Sequence, residues 1–290
     1  MAAIQHKPTH SDIQKHVRDA LREDLGGRVN NHDDITASLI PAQQTATATI
    51  ITREDMVMCG LDWVYETCQQ VDNTINITAH VKDGQRMSAN ALLFTLVGNA
   101  RVLLTAERTL LNFIQFLSAT ATTTYNYVQY IKHSQTRLLD TRKTIPGFRL
   151  AQKYAVACGG GSNHRVGVYD AFLIKENHIA ACGGITAAIN QAKTLAPNKT
   201  VEVEVETFIE LEEATRAGAD IIMLDNFSTE QVKSAVAFVN RRCKLEVSGN
   251  ITYHRLTELC NTGVDYISSG ALTKTVQAID LSMRLSVNKT

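Results

Sequence analysis

The run Val201-Glu202-Val203-Glu204-Val205-Glu206 alternates three valines with three glutamates. Successive side chains of a strand point to opposite faces, so the valines share one face and the glutamates the other. The valines suit the outer face of an α/β sheet, where helices pack. The glutamates then either line a barrel interior or lie along a solvated edge. An inward carboxylate needs a cation or a metal beside it to offset its desolvation. Cations are concentrated upstream. Seven basic and two acidic residues lie between Arg137 and Lys175, whereas nine acidic residues and one basic residue, Arg216, lie between Glu202 and Glu230. Arg142, Lys143, Lys175, Glu204, Asp225 and Ser248 all fall at or just beyond the ends of expected strands, where α/β barrels place their sites. A cationic wall facing an acidic wall suits an anionic substrate together with a Mg²⁺-bound phosphate compound.

The elements that must position these residues follow from periodicity. A first helix is expected from Ser11, with Gln14 completing a capping box and Ile13, Val17, Ala20 and Leu21 at helical spacing. The loop EDLGGRVNNHDDIT follows it. The runs TATATIITRE, NTINITAHV and ALLFTLVG read as strands, LDWVYETCQQV as a helix between the first two, and Asp83-Gly84 as a turn between the last two. A long helix is expected over residues 105–132, its stripe formed by Leu110, Phe113, Ile114 and Leu117. Beyond it come six short strand-like runs, RLLDTRK, DAFLIKENH, VEVEVET, DIIMLDN, KLEVSGN and VDYISSG, their starts about 20 to 33 residues apart. Such spacing fits repeated βα units and a parallel α/β fold, an open sheet or a barrel. The glutamate strand favours the barrel.

Composition removes several classes of function. The 29 Lys and Arg balance 29 Asp and Glu, so a nucleic-acid partner is not expected. No apolar run approaches membrane-spanning length, and MAAIQHKPTHSD lacks the apolar stretch of a signal peptide. The six cysteines form no C-x-x-C pair and read as reduced thiols in a cytoplasmic protein. Neither a dinucleotide-binding glycine fingerprint nor a P-loop occurs.

LLDTRKTIPGFR (138–149), KYAVACGGGSNHRVGVYDAFLIKENH (153–178), IIMLDNF (221–227), LEVSGNI (245–251) and SSGALT (268–273) occur in that order. Together with EDLGGR…DDIT (23–36) and ERTLLNF (107–113), they closely resemble the quinolinate phosphoribosyltransferases, and the resemblance spans essentially the whole chain. It implies a type II phosphoribosyltransferase fold: an N-terminal α/β sandwich domain over residues 1–117, with 275–290 packed on it, and an incomplete α/β barrel over 118–274. It also implies a reaction. Quinolinate and phosphoribosyl pyrophosphate give nicotinate mononucleotide, pyrophosphate and CO₂ with Mg²⁺, a step of de novo NAD biosynthesis.

The resemblance assigns roles residue by residue. Arg142, Lys143, His164, Arg165 and Lys175 form the pocket for the two quinolinate carboxylates, with Thr141 beside them. Glu204 and Asp225 face the ribose and the metal, although Glu202 and Glu206 share Glu204's face. Lys143, Lys175, Glu204 and Asp225 are the catalytic set. Ser248-Gly249-Asn250 and Ser269-Gly270-Ala271 are the phosphate turns; the first departs from an SGG pattern, and Lys274 follows the second where some members have His. Arg108, in ERTLLNF, reaches across a homodimer interface into the neighbour's quinolinate pocket. A hexamer is also compatible with this arrangement. Three other functions compete: a related transferase acting on another base, a Schiff-base enzyme built on Lys175, and a non-catalytic homologue that only binds nucleotides or partners.

Overall fold

The structure is a computed structural model that describes residues 7–29 and 33–287. Residues 30–32 of the expected EDLGGRVNNHDDIT loop lie outside it. In chain order the elements are α1 (His10–Asp24), β1 (Thr45–Thr52), β2 (Met56–Val57), α2 (Leu61–Val71), β3 (Asn76–Ala79), β4 (Arg86–Met87), β5 (Leu92–Asn99) and α3 (Ala100–Ile131). They continue with β6 (Arg137–Leu139), α4 (Arg149–Cys158), β7 (Phe172–Ile174), α5 (Glu176–Cys182), α6 (Ile185–Leu195), β8 (Val201–Val205), α7 (Phe208–Ala217) and β9 (Ile221–Asp225). The last are α8 (Thr229–Val239), β10 (Lys244–Ser248), α9 (Tyr253–Leu259), β11 (Tyr266–Ser268), α10 (Ala271–Lys274) and β12 (Leu281–Val287).

One compact unit comprises residues 7–125, 146–160 and 276–287. Its sheet is antiparallel throughout, in the order β12-β1-β5-β3. In β1 the buried Ala46, Ala48 and Ile50 alternate with threonines, the period of a sheet packed on one face. The first helix starts earlier than expected. Its capping box is Thr9 with Asp12, not Ser11 with Gln14: Thr9 Oγ1 accepts the Asp12 amide at 3.2 Å and Asp12 Oδ2 accepts the Thr9 amide at 2.9 Å. Pro8 and Ile13, both buried, occupy the two positions of a hydrophobic staple around that box, which is why the earlier start prevails. Similarly, α3 begins at Ala100 rather than near 105, because Asn99 Oδ1 accepts the Arg101 amide and Val102, Leu103 and Ala106 extend the buried stripe. The Asp83-Gly84 turn has a second use: Asp83 Oδ1 accepts the Gly60 and Leu61 amides at the start of α2. The sequence places the domain break at 117/118, whereas the units part at 125/126, and α4 belongs to the first unit because Ala151 and Ala155 are buried in its core.

The second unit comprises residues 126–145 and 161–275. Its strands are all parallel, in the order β6-β11-β10-β9-β8-β7, an incomplete α/β barrel. The glutamate strand β8 lies between β7 and β9 and packs against α6 and α7, so it is not an edge. Val201, Val203 and Val205 are buried. Glu202 on β8 and Glu246 on β10 are buried too, and they approach one another although β9 separates their strands.

Burial, and next the nearness of Glu202, push the Glu246 carboxyl up to about 8. Its folded value lies above the unfolded one, so the stability it contributes is full at acid pH and is lost as pH rises from about 4.5 to about 8. Glu246→Gln, which keeps the volume without the charge, should therefore show a flatter decline in Tm than the native chain between about pH 5 and pH 8. Parallel Tm profiles across that window would show that Glu246 does not carry a raised pKa.

Candidate active site

The residues with chemistry to offer lie at or shortly beyond the ends of the parallel strands. Arg142 and Lys143 follow β6, Lys175 follows β7, Glu204 lies near the end of β8, Asp225 ends β9 and Ser248 ends β10. Parallel strands point all these ends the same way, and there the second unit opens into a cavity of about 880 Å³. Its lining includes Thr141, Arg142, Lys143, His164, Arg165, Lys175, Glu204, Asp225, Ser248, Gly249, Asn250, Ser269, Gly270 and Ala271. Every expected site residue except Arg108 is thus on one wall or another of a single cavity. Arg108 is exposed on α3, within the first unit.

The cationic wall is held in place by buried acceptors. Asp140, fully buried just after β6, accepts the His164 amide at 2.8 Å and the Asn163 side chain at 2.8 Å, which fixes the NHR segment beside the TRK segment. Arg165 donates through Nη1 to the Ala171 carbonyl at 3.0 Å, and its buried Nε has no hydrogen-bond partner among the described residues. Burial, followed by repulsion from Arg142, lowers the Arg165 pKa from its ordinary value. Two guanidiniums on one cavity offer planar forks that can grip an anion. The Lys143 amide donates to Thr141 Oγ1 at 3.1 Å, and the Lys143 carbonyl accepts from Thr273 at 2.7 Å.

On the acidic wall Glu204 forms an ion pair with Lys175. Asp225 accepts from Ser248 Oγ at 2.8 Å through one oxygen and from the Asn226 side chain at 2.8 Å through the other. The three β8 glutamates take different places. Glu204 lines the cavity, Glu202 lies inside the barrel with Oε2 at 2.8 Å from His164 Nε2, and Glu206 is exposed, its amide donating to Glu210. At the first expected phosphate turn Gly249 has φ +90° and Asn250 φ +45°. A Cβ on Gly249 would run into Asn226 Oδ1, so the turn demands glycine at that position.

Three contributors escaped the sequence reading. Glu246 shares the inward parity of Glu202, since Leu245 and Val247 take the opposite face of β10. That period-two signal is present in KLEVS. Asp140 gives no such signal, because its partners lie 23 and 24 residues away in sequence, and Asn226 (φ +57°) gives none because its role is set by a backbone turn and a bond to the adjacent Asp225. Conversely, Arg149 and Lys153, counted in the basic segment, belong to the first unit and do not line the cavity.

Comparison with known proteins places the chain in a family. Residues 33–118 match the model of the quinolinate phosphoribosyl transferase N-terminal domain, and residues 120–284 match that of its C-terminal domain. A probable nicotinate-nucleotide pyrophosphorylase [carboxylating] of Bacillus subtilis (strain 168) is 38% identical over 280 residues, covering 96% of this chain and 95% of the relative. A mitochondrial quinolinate phosphoribosyltransferase [decarboxylating] of Nicotiana tabacum is 36% identical, covering 96% and 83%. The solved structure of the nicotinate-nucleotide pyrophosphorylase from Francisella tularensis superposes with a TM-score of 0.94 at 51% identity, covering 99% of this chain and 100% of that one. With both domain models matched across nearly its whole length, and with the expected cations and carboxylates gathered at one barrel mouth, the chain belongs to the quinolinate phosphoribosyltransferase family.

Proposed function

We propose that this protein transfers the phosphoribosyl group of phosphoribosyl pyrophosphate to quinolinate and releases CO₂, giving nicotinate mononucleotide and pyrophosphate. The observation that carries the reading is the crowding of Arg142, Lys143, His164, Arg165 and Lys175 on a cavity that also holds Glu204 and Asp225. Quinolinate bears two adjacent carboxylates, and Arg142 and Arg165 each offer a planar fork to grip one. Held there, the ring nitrogen is the nucleophile, so no serine or cysteine is required. Positive charge developing on the ribose carbon is stabilised by the carboxylates of Glu204 and Asp225. Once the nitrogen is quaternary, the neighbouring carboxylate leaves as CO₂, its bonding pair stays on the ring carbon, and a proton takes its place. The Ser248-Gly249-Asn250 turn and Gly270 offer backbone amides to the phosphates, the Ser269 amide being taken by the Leu139 carbonyl and that of Ala271 by the Ser269 hydroxyl.

Glu204 and Asp225 also suit Mg²⁺, which takes hard oxygen ligands from one or two carboxylates plus substrate phosphates. Each Asp225 oxygen accepts a single hydrogen bond and keeps a lone pair, while Glu204 is already paired with Lys175. The chemistry a bound ion supplies is neutralisation of charge on the departing pyrophosphate. In the finer reading the protein is a cytoplasmic homodimer, or a hexamer that contains three such dimers, with Arg108 completing the partner's pocket. Among the described residues, no helix is long and apolar enough to cross a membrane.

The direct test supplies purified protein with phosphoribosyl pyrophosphate, Mg²⁺ and either quinolinate or nicotinic acid. Loss of one charge-assisted contact costs about 1.5–3 kcal/mol, and a cation left unpaired adds to it. The kcat/KM for nicotinic acid should therefore be lower by on the order of a hundredfold or more, and comparable values would refute the two-carboxylate pocket. Excess EDTA should abolish turnover, and Glu204→Ala and Asp225→Ala should each lower it steeply while remaining folded; native rates in either condition would remove the metal assignment. For Arg108, inactive Arg108→Ala and Lys175→Ala chains should complement under subunit exchange. About half of randomly formed dimers are mixed, and each has one intact site, so roughly a quarter of native activity should return. Mixed dimers without activity would show that Arg108 does not act in trans.

A further inference from the structure

The first unit holds a cluster that the proposed reaction does not use. Cys59 lies between β2 and α2, Cys158 ends α4, and Asp83 sits in the turn before β4. The two sulfurs and an Asp83 carboxylate oxygen all lie within 4.8 Å of one another. Cys59 is wholly buried, Cys158 is partly exposed, and the two thiols are within hydrogen-bonding reach of each other. Both backbones are anchored on neighbouring turns of α3. The Cys59 amide donates to Ser118 Oγ at 3.0 Å, and the Ser118 hydroxyl donates to the Cys59 carbonyl at 3.2 Å. One turn on, Gly159 packs so closely that a Cβ there would be 2.3 Å from the Ala121 carbonyl oxygen. Closing the remaining gap between the sulfurs therefore falls to the side chains. Asp83 is fixed as well: its Oδ1 accepts the Gly60 and Leu61 amides, and its Oδ2 accepts the Tyr154 hydroxyl at 2.9 Å. Lys7, ion-paired with Asp62 at 3.0 Å, is close enough to attract both Asp83 and a Cys158 thiolate.

Three hydrogen bonds leave Asp83 one lone pair, so the cluster offers two thiols and little else, short of the four ligands of a closed zinc site. We propose that Cys59 and Cys158 are instead a reversible disulfide site: Cys158 is the thiol that a hydroperoxide oxidises, Cys59 the thiol that closes the bond, and Asp83 the base that takes the Cys59 proton. Exposure sets the order, because an oxidant arriving from solvent meets Cys158 and not Cys59. Burial, and next the nearness of Cys158, push the Cys59 thiol up, so it stays protonated until a base relieves it. Burial also raises the Asp83 carboxyl, which makes it a better proton acceptor. In the first step the Cys158 sulfur attacks one peroxide oxygen and the O–O bond breaks. The other oxygen leaves as water with the thiol proton, and Cys158 becomes a sulfenic acid. In the second step Asp83 takes the Cys59 proton, the Cys59 sulfur attacks that of Cys158 and the S–O bond breaks. The hydroxide leaves as water with the proton that Asp83 returns. Two thiols and one hydrogen peroxide thus give one disulfide and two waters, and an external dithiol reverses the change. None of these residues lines the cavity of the second unit, so the site stands apart from the reaction proposed there.

The test treats the folded native protein with hydrogen peroxide, blocks the remaining thiols and maps the peptides by mass. A Cys59–Cys158 linkage should appear within single chains and disappear with dithiothreitol. In Cys59→Ser the sulfenic acid on Cys158 should persist and take a dimedone label, whereas in Cys158→Ser Cys59 should stay unlabelled. Asp83→Asn, which keeps an oxygen for the Gly60 and Leu61 amides, should slow closure on the order of a hundredfold while Cys158 sulfenic acid accumulates. The oxidised native chain should melt about 5 °C above the reduced one, since the bond closes a loop of about 100 residues in the unfolded chain. An absent linkage, linkage of either thiol to a different cysteine, a dimedone label on Cys59 in Cys158→Ser, or a lower Tm on oxidation would each overturn the proposal. So would zinc that copurifies at one ion per chain and blocks oxidation until it is chelated. Closure of Asp83→Asn at the native rate would remove Asp83 as the base. The mapping of the native chain decides the linkage even where a variant fails to fold.

Discussion

Repulsion among cations is the constraint around which the second unit is built. Arg142, Lys143, His164, Arg165 and Lys175 line one cavity, and two unit charges about 4 Å apart cost ~1 kcal/mol in water and several times that where water is excluded. A protein that gathers charge in this way must counter it without filling the space a ligand needs. Here the countercharge is placed underneath and to the side. Glu202 Oε2 lies 2.8 Å from His164 Nε2, and Glu204 pairs with Lys175. Arg165 is left partly uncompensated, its charge disfavoured by burial and by Arg142.

Most of this arrangement is a consequence of strand parity. In β8 and β10, valines and leucine take the helix-covered face, which leaves Glu202, Glu204, Glu246 and Ser248 to the barrel interior and its mouth. Depth along the strand then sorts the inward residues by role. Glu202, furthest from the strand ends, lies inside the barrel beside His164, whereas Glu204 and Glu246, level with one another through Met223, and Asp225 and Ser248 at the ends line the cavity. The register that pairs Ser248 with Asp225 also puts a hydroxyl donor against that carboxylate. A one-residue slip would reverse the parity and turn the carboxylates toward the helices.

Backbone shape does the remaining positioning. Asn226 and Asn250 adopt left-handed conformations just past β9 and β10, where each chain turns sharply away from its strand. Asparagine tolerates that region better than most residues do. At Gly249 no side chain can be accommodated, because Asn226 occupies the space and the backbone is already left-handed. Buried Asp140 does comparable work on the cationic side, capturing the amide of His164 and the side chain of Asn163, so that the NHR segment depends on a single carboxylate far away in sequence.

Local pattern alone determined much of this protein. Alternation in VEVEVE identified an inward carboxylate face, the spacing of six apolar runs identified a parallel α/β unit, and charged residues just past those runs identified the mouth that holds the site. These features are legible because strand parity and βα spacing are properties of a few consecutive residues. Helix starts were less legible: Thr9 and Ser11 both fit a capping box, and buried Pro8 and Ile13 settled the choice. Only the tertiary structure decided which of Glu202, Glu204 and Glu206 reaches the cavity, which acid neutralises which cation, and that α4 joins the first unit although it lies between β6 and β7 in sequence. Each of those outcomes depends on groups brought together from distant parts of the chain, where burial sets the cost of a charge and thereby its partner.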